Sequence, residues 1–234
     1  MINIFKRKNN DRLEDLLNAN VSYYRFQNAL INFILEKIHD IGFSEPNYKI
    51  KCVFRDFHGD RSDIMGIKYG CRPEMYDKNV SVAINKKLTD AYLFPGTNEF
   101  ERFDLFAIIF HELNHLIIEK MFIDGKCDNQ NLFKDRALEK YFLNEYGHNV
   151  YYTENYENCT EEALCNIYGI NEAIKFLKEN NIELTDEEKS KLKEKYNSYC
   201  DKLMDTSRID PNDKKKYTLD ELYDKYILGN NLKR

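Results

Sequence analysis

From about Glu99 to Phe122 the chain reads as one helix that is apolar on most of its faces between Phe100 and Ile118. A helix of that kind must be covered on most sides, so the rest of the chain has to be laid around it. Its longest apolar run, Leu105 to Phe110, is only about a third of the roughly twenty residues that span a bilayer, so it is expected at the centre of a globular core. In its middle stand His111-Glu112-Leu113-Asn114-His115, polar groups where burial is costly unless something satisfies them.

The flanking sequence supplies the cover. Leu13, Leu16, Leu17, Val21, Tyr24, Leu30, Phe33, Ile34 and Ile38 recur at threes and fours from about Asp11 to Ile41 with no Pro or Gly between them. That predicts one helix, with Gly42 at its C-cap. Tyr48 to Phe57 alternates apolar and polar residues and reads as a strand. Ile64 to Tyr69 follows after a turn at Asp60 to Asp63, and Val80 to Ile84 is a third strand closing at Asn85. These three predict a small, mostly antiparallel sheet. Pro95-Gly96-Thr97-Asn98 is a turn, and Asp124-Gly125 stops the central helix. Further helices are expected over Leu132 to Tyr146, from Thr160 to about Lys178, and from Thr185-Asp186-Glu187-Glu188, a capping-box pattern, to about Met204. A last short helix is expected from Thr218 to Tyr226. The fold class is α+β. The spans divide as an N-terminal helical segment (1–45), a core (46–179) and a C-terminal helical extension (180–234).

Of the 234 residues, 42% are hydrophobic and 32% charged, which fits a buried core under a solvated surface. With 17 Tyr, 15 Phe and no Trp, much of that core should be aromatic. The net charge of -5 and the interspersed Lys and Glu give no basic stripe, which argues against nucleic-acid binding. No membrane span is expected either. Met1-Ile2-Asn3-Ile4-Phe5 is too short for a secretory leader, and Lys6-Arg7-Lys8 follows it instead of preceding it. Cys52, Cys71, Cys127, Cys159, Cys165 and Cys200 are scattered without C-x-x-C spacing, so reduced thiols in a cytoplasmic protein are expected.

His111 and His115 lie four residues apart, one turn along the same face of a helix. Two imidazole nitrogens so placed can both reach one tetrahedral zinc with bonds of about 2 Å. Glu112 points to one side of that face, where it can reach a water on the metal. Zinc lowers the pKa of such a water toward neutrality, and the carboxylate takes its proton and later returns it to the leaving group. In a chain of this composition and length, chance places H-E-x-x-H roughly once in a hundred sequences, and a chance match favours an exposed helix. Here the helix is the most apolar in the chain. A third ligand is needed, and His39, His58, His148 and many carboxylates are available. Ile118 and Met121 stand where a three-histidine pattern would continue with Gly and His, which argues against that site.

The segment Glu162-Ala163-Leu164-Cys165-Asn166-Ile167-Tyr168-Gly169 resembles the second helix of gluzincin metallopeptidases, the thermolysin-like group, where a glutamate ligand is followed four residues later by Asp or Asn. The layout of helix, small sheet, HExxH helix and glutamate helix is also similar to small metallopeptidases of bacterial and phage genomes, including the ImmA/IrrE-like group. The resemblance implies a zincin-like fold with His111, His115 and Glu162 as zinc ligands, Glu112 as base and Asn166 bonding a ligand histidine. It also implies that Val80 to Ile84 is an edge strand able to pair with an extended peptide. Glu161 is a rival ligand facing about 100° away from Glu162, and Asn166 aligns better with Glu162. Cys165, three residues from Glu162, is a second rival, though a small buried apolar residue is the plainer reading. His148, Tyr151, Tyr152 and Tyr156 precede this helix, and His148 and Tyr152 are the candidates for a group that stabilises the transition-state oxyanion.

The function expected from these features is a cytoplasmic zinc metallopeptidase acting on a protein or peptide. The alternative is a zinc-stabilised binding or regulatory module of the same fold without turnover, which has no chemical need for Glu112.

Overall fold

A computed structural model of the chain describes residues 15–17, 21–55, 65–69, 79–97, 101–146, 159–202, 207–209 and 216–218. Helix α1 (Tyr23–Ile41) opens at Ser22, whose hydroxyl accepts the Arg25 N–H. It closes at Gly42, where φ is 107°. There the Gly42 N–H bonds the His39 carbonyl and the Phe43 N–H bonds the Ile38 carbonyl, a left-handed cap that favours glycine. The single helix expected from Asp11 is thus broken. Residues 15–17 are helical, Val21 lies in a bend, and Arg25 reaches back across the break to Asp15 at 2.6 Å. The physical reason is Ser22, whose side chain takes the cap of a new helix and stops the preceding one from running on.

Strands β1 (Lys49–Arg55), β2 (Met65–Tyr69) and β3 (Asn79–Asn85) form a sheet in the order β1-β3-β2. The expectation of a mostly antiparallel sheet is corrected. β3 pairs antiparallel with β2 but parallel with β1. The strands alternate in direction along the chain, and the third inserts between the first two, so it runs alongside β1. β3 is therefore central, with both of its edges paired, and cannot be the edge strand that receives a substrate. Val80, Val82 and Ile84 point from β3 into the core and are fully buried.

Helix α2 (Lys86–Leu93) follows directly, capped by the Asn85 side chain, which accepts the Lys87 N–H at 3.0 Å. No helix is expected there from the sequence, because the apolar pattern of an eight-residue element is short and Asn85 reads equally well as a strand end. Helix α3 (Asp104–Ile123) begins at Asp104 instead of near Glu99. The Asp104 carboxylate accepts the Glu101 N–H and the Glu101 carbonyl accepts the Asp104 N–H, so the chain turns before the helix starts. Helices α4 (Gln130–Tyr146), α5 (Thr160–Glu179) and α6 (Asp186–Lys202) match their expected positions closely. The α6 capping box is reciprocal: Thr185 N–H to Glu188 Oε2 at 2.7 Å, and Glu188 N–H to Thr185 Oγ1 at 3.2 Å. Strands β4 (Ser207–Ile209) and β5 (Lys216–Thr218) pair antiparallel. Thr218 thus ends a strand where a short helix is expected to start, and residues 219–226 lie outside the described residues.

The main core gathers Phe26, Leu30, Ile34 and Ile38 of α1, the inward face of β3, Phe106, Ile109 and Leu113 of α3, Leu177 of α5 and Leu192 of α6. It is aromatic, as the composition implies. Phe106 meets Tyr92 edge-on at 5.3 Å and Phe176 at 4.7 Å, and Phe26 stacks on Tyr92 at 5.2 Å. Such pairs contribute about 0.5–1.5 kcal/mol each beyond their burial. α3 is buried along most of its circumference. Among the described residues, no helix is long and apolar enough to cross a membrane.

Candidate metal centre

Helices α3 and α5 run antiparallel and lie very close. A Cβ built on Gly169 would stand 2.3 Å from the Ala107 carbonyl oxygen and 2.9 Å from the His111 nitrogen. Only a residue without a side chain permits this approach. Two turns earlier on α5, Glu162 falls opposite His111 and His115. The intervening Asn166 hydrogen-bonds the His111 side chain.

Three donor side chains converge there. His115 Nε2 lies 3.2 Å from His111 Nε2 and 3.1 Å from Glu162 Oε1, and His111 Nε2 lies 3.6 Å from Glu162 Oε2. Among the described residues, these three form a group that could hold a metal ion. Ligands at 2.0–2.1 Å on a tetrahedral ion are separated by about 3.3 Å, so the spacing already suits one ion bound to all three. The chemistry of the donors agrees, with two imidazoles and one carboxylate, His115 and Glu162 buried and His111 partly so.

The site is also charge-matched to a cation. Burial, and then the neighbouring His115, lower the His111 pKa to about 4, so its ring is neutral. Burial pulls the His115 ring down too, but Cys165 and Glu162 beside it, with hydrogen bonds to Cys165 and Glu161, more than offset this and hold it well above the ordinary histidine value. These neighbours thus favour positive charge at this point, which a bound divalent cation could supply. Burial alone would raise Glu161, yet Arg136 and His115 keep its carboxyl below the usual range.

Glu161 shares the His115 ring with Glu162. Its Oε1 sits 2.9 Å from His115 Nδ1. With Nδ1–H donating to that carboxylate, the Nε2 lone pair is left facing the other two donors. The Glu161 Oε2 lies 3.3 Å from the Arg136 guanidinium, which also reaches Glu119 Oε2 at 3.0 Å. The Glu161 N–H donates to Asp135 Oδ2 at 2.7 Å, so an α4 side chain caps α5, whose N-cap residue Cys159 supplies no side-chain cap hydrogen bond.

Of the residues singled out from the sequence, His111, His115 and Glu162 are brought together, and Asn166 bonds a histidine of the group. Glu112, between the two histidines on α3, is half-buried. Cys165 is buried in a small cluster with Ile118 and Leu132, accepts from Asn114 Nδ2 at 3.5 Å, and is pushed up to about 11 by burial against the opposing pull of His115. His39 is exposed in the last turn of α1. His58, His148, Tyr151, Tyr152 and Tyr156 lie outside the described residues. The roles of Glu161, Asp135, Arg136 and Glu119 are not read from the sequence. Their one signal is a pair of charges in apolar company, Glu119 on the central helix and Glu161 beside the ligand. Searches against protein families, curated proteins and solved structures found no match to this chain.

Proposed function

We propose that this chain is a zinc metallopeptidase with a zincin-like, gluzincin-type site: His111, His115 and Glu162 as ligands and Glu112 as general base. The observation that supports the reading is the convergence of two Nε2 atoms, from the helix that also bears Glu112, with the Glu162 carboxylate of α5 at spacings that suit one tetrahedral ion. Among the described residues the group offers three ligands, which fits a catalytic zinc with its fourth position open, whereas a structural site closes that position with a fourth side chain. Zinc held there supplies a Lewis acid that polarises a scissile carbonyl and acidifies a water.

The chain's own residues do the rest. Glu112 accepts the proton of the attacking water and passes it to the leaving amine nitrogen. Glu161 fixes the His115 ring through Nδ1, and Asn166 holds His111, so both rings are oriented before any ligand arrives. The substrate class is a protein or peptide, and the compartment proposed is the cytoplasm.

Glu112→Gln tests the assignment of the base. The variant keeps its zinc, because the side chain at this position is not one of the three ligands, but cleavage of a casein or mixed-peptide substrate falls by about 10²–10⁴-fold. Cleavage at the wild-type rate in a zinc-loaded Glu112→Gln protein would remove Glu112 from the mechanism.

A further inference from the structure

The candidate metal centre has a support on a helix that carries none of His111, His115 and Glu162. Arg136 projects from α4 with one guanidinium nitrogen 3.0 Å from Glu119 Oε2 and 3.3 Å from Glu161 Oε2. Its guanidinium lies over the Phe122 ring at 5.0 Å from the centroid. Glu119 and Phe122 stand one and two turns beyond His115 on α3, and Glu161 is the residue before the ligand Glu162 on α5. A single side chain therefore ties α3, α4 and α5 together at the metal-facing end of their packing. The adjacent Asp135 holds the Glu161 backbone through its N–H.

The two oxygens of Glu161 divide their work. Oε1 is bonded to His115 Nδ1 and Oε2 to Arg136. The carboxylate cannot rotate toward one partner without leaving the other. Both carboxylates and the guanidinium are largely buried, with side chains 9%, 9% and 18% exposed for Glu119, Glu161 and Arg136, so water does little to screen the pairing. A buried carboxylate pair without its cation would be strongly unfavourable, and Glu161 would turn away from Glu119 and from its place beside His115.

We infer that Arg136 is a positioning residue for the metal centre: through Glu161 it fixes the His115 ring in the orientation that presents Nε2 to the ion. The inference rests on the proposed His111–His115–Glu162 site and goes beyond it by naming what sets that site's affinity.

Zinc affinity of the full chain, measured by competition with a chromogenic chelator, tests it, alongside the visible absorption of the cobalt-loaded protein. Arg136→Met should weaken zinc binding by about 10–100-fold, the usual cost of losing an outer-shell partner, and alter the cobalt band. Arg136→Lys, which keeps a cation between the carboxylates, should recover most of that loss. Combining Arg136→Met with Glu161→Gln should cost no more than the worse single change, because both act through one link. Wild-type affinity and spectrum in Arg136→Met, a Lys variant as weak as Met, or losses that multiply in the double variant would each overturn the inference. If Arg136→Met does not fold, Arg136→Lys and Glu161→Gln carry the test. A Lys variant near wild type beside a Gln variant weakened at least about 10-fold supports it, and a Gln variant that binds like wild type overturns it. Failure of the site itself looks different: wild type takes up no zinc, or Glu162→Ala binds as tightly as wild type.

Discussion

Burial sets the chemistry of single side chains in this protein, and the Cys52 thiol records it independently of the metal centre. Cys52, on β1, is pushed up to about 12 by desolvation. A raised thiol pKa means that the reactive thiolate is scarce below that pH, so at pH 8 Cys52 should resist alkylation. An ordinary cysteine near 8.5 is partly ionised there, and Cys52 in the native protein should react at least about 100-fold more slowly than in the urea-unfolded chain. Peptide mapping after timed iodoacetamide treatment reads this directly; equal rates would mean that the β1 environment is not as described. Cys165, beside His115 at the candidate site, is likewise raised by burial, to about 11. Charge survives burial only where it is paired, as at Glu161 between Arg136 and His115.

Among the elements, the α3–α5 pair decides whether the site exists. Its closeness depends on Gly169, where even a methyl group would collide with the Ala107 carbonyl. Gly169→Ala should push α5 away from α3 and separate Glu162 from the histidines. The expected result is about 1–3 kcal/mol of lost stability in denaturant unfolding. Zinc affinity should fall by at least about 10-fold, the order of loss seen when a site's supporting contacts are disturbed. An Ala variant with unchanged stability and affinity would show that the approach of the two helices has slack. The long elements are legible in the sequence because their signals are local: Gly42 caps α1, Thr185 and Glu188 box the start of α6, and the apolar girth of α3 announces its burial. Strand pairing is not local. Alternation finds β1 and β3, but nothing in it says that β3 inserts beside β1, which makes that pair parallel. Ser22 ends one helix and starts another inside an unbroken apolar periodicity, so periodicity alone passes over it.

For the molecule as a whole, the central site divides along the same line. His111, Glu112 and His115 are legible because a four-residue spacing on a helix fixes their relation. Glu162 and Asn166 come from resemblance to a known arrangement of two helices. Glu161 is visible only as a rival to its neighbour, since its partner His115 lies 46 positions away and Arg136 belongs to a third helix. An ion held between α3 and α5, with α4 bracing them, would also couple metal binding to folding. The most direct test is zinc content, by inductively coupled plasma mass spectrometry, of the chain purified without chelators, set beside Glu162→Ala. One zinc per chain in the wild type, lost or sharply reduced in the variant, is the result expected. No zinc in the wild type even after reconstitution, or equal zinc in both proteins, would contradict the His111–His115–Glu162 centre and the peptidase reading built on it.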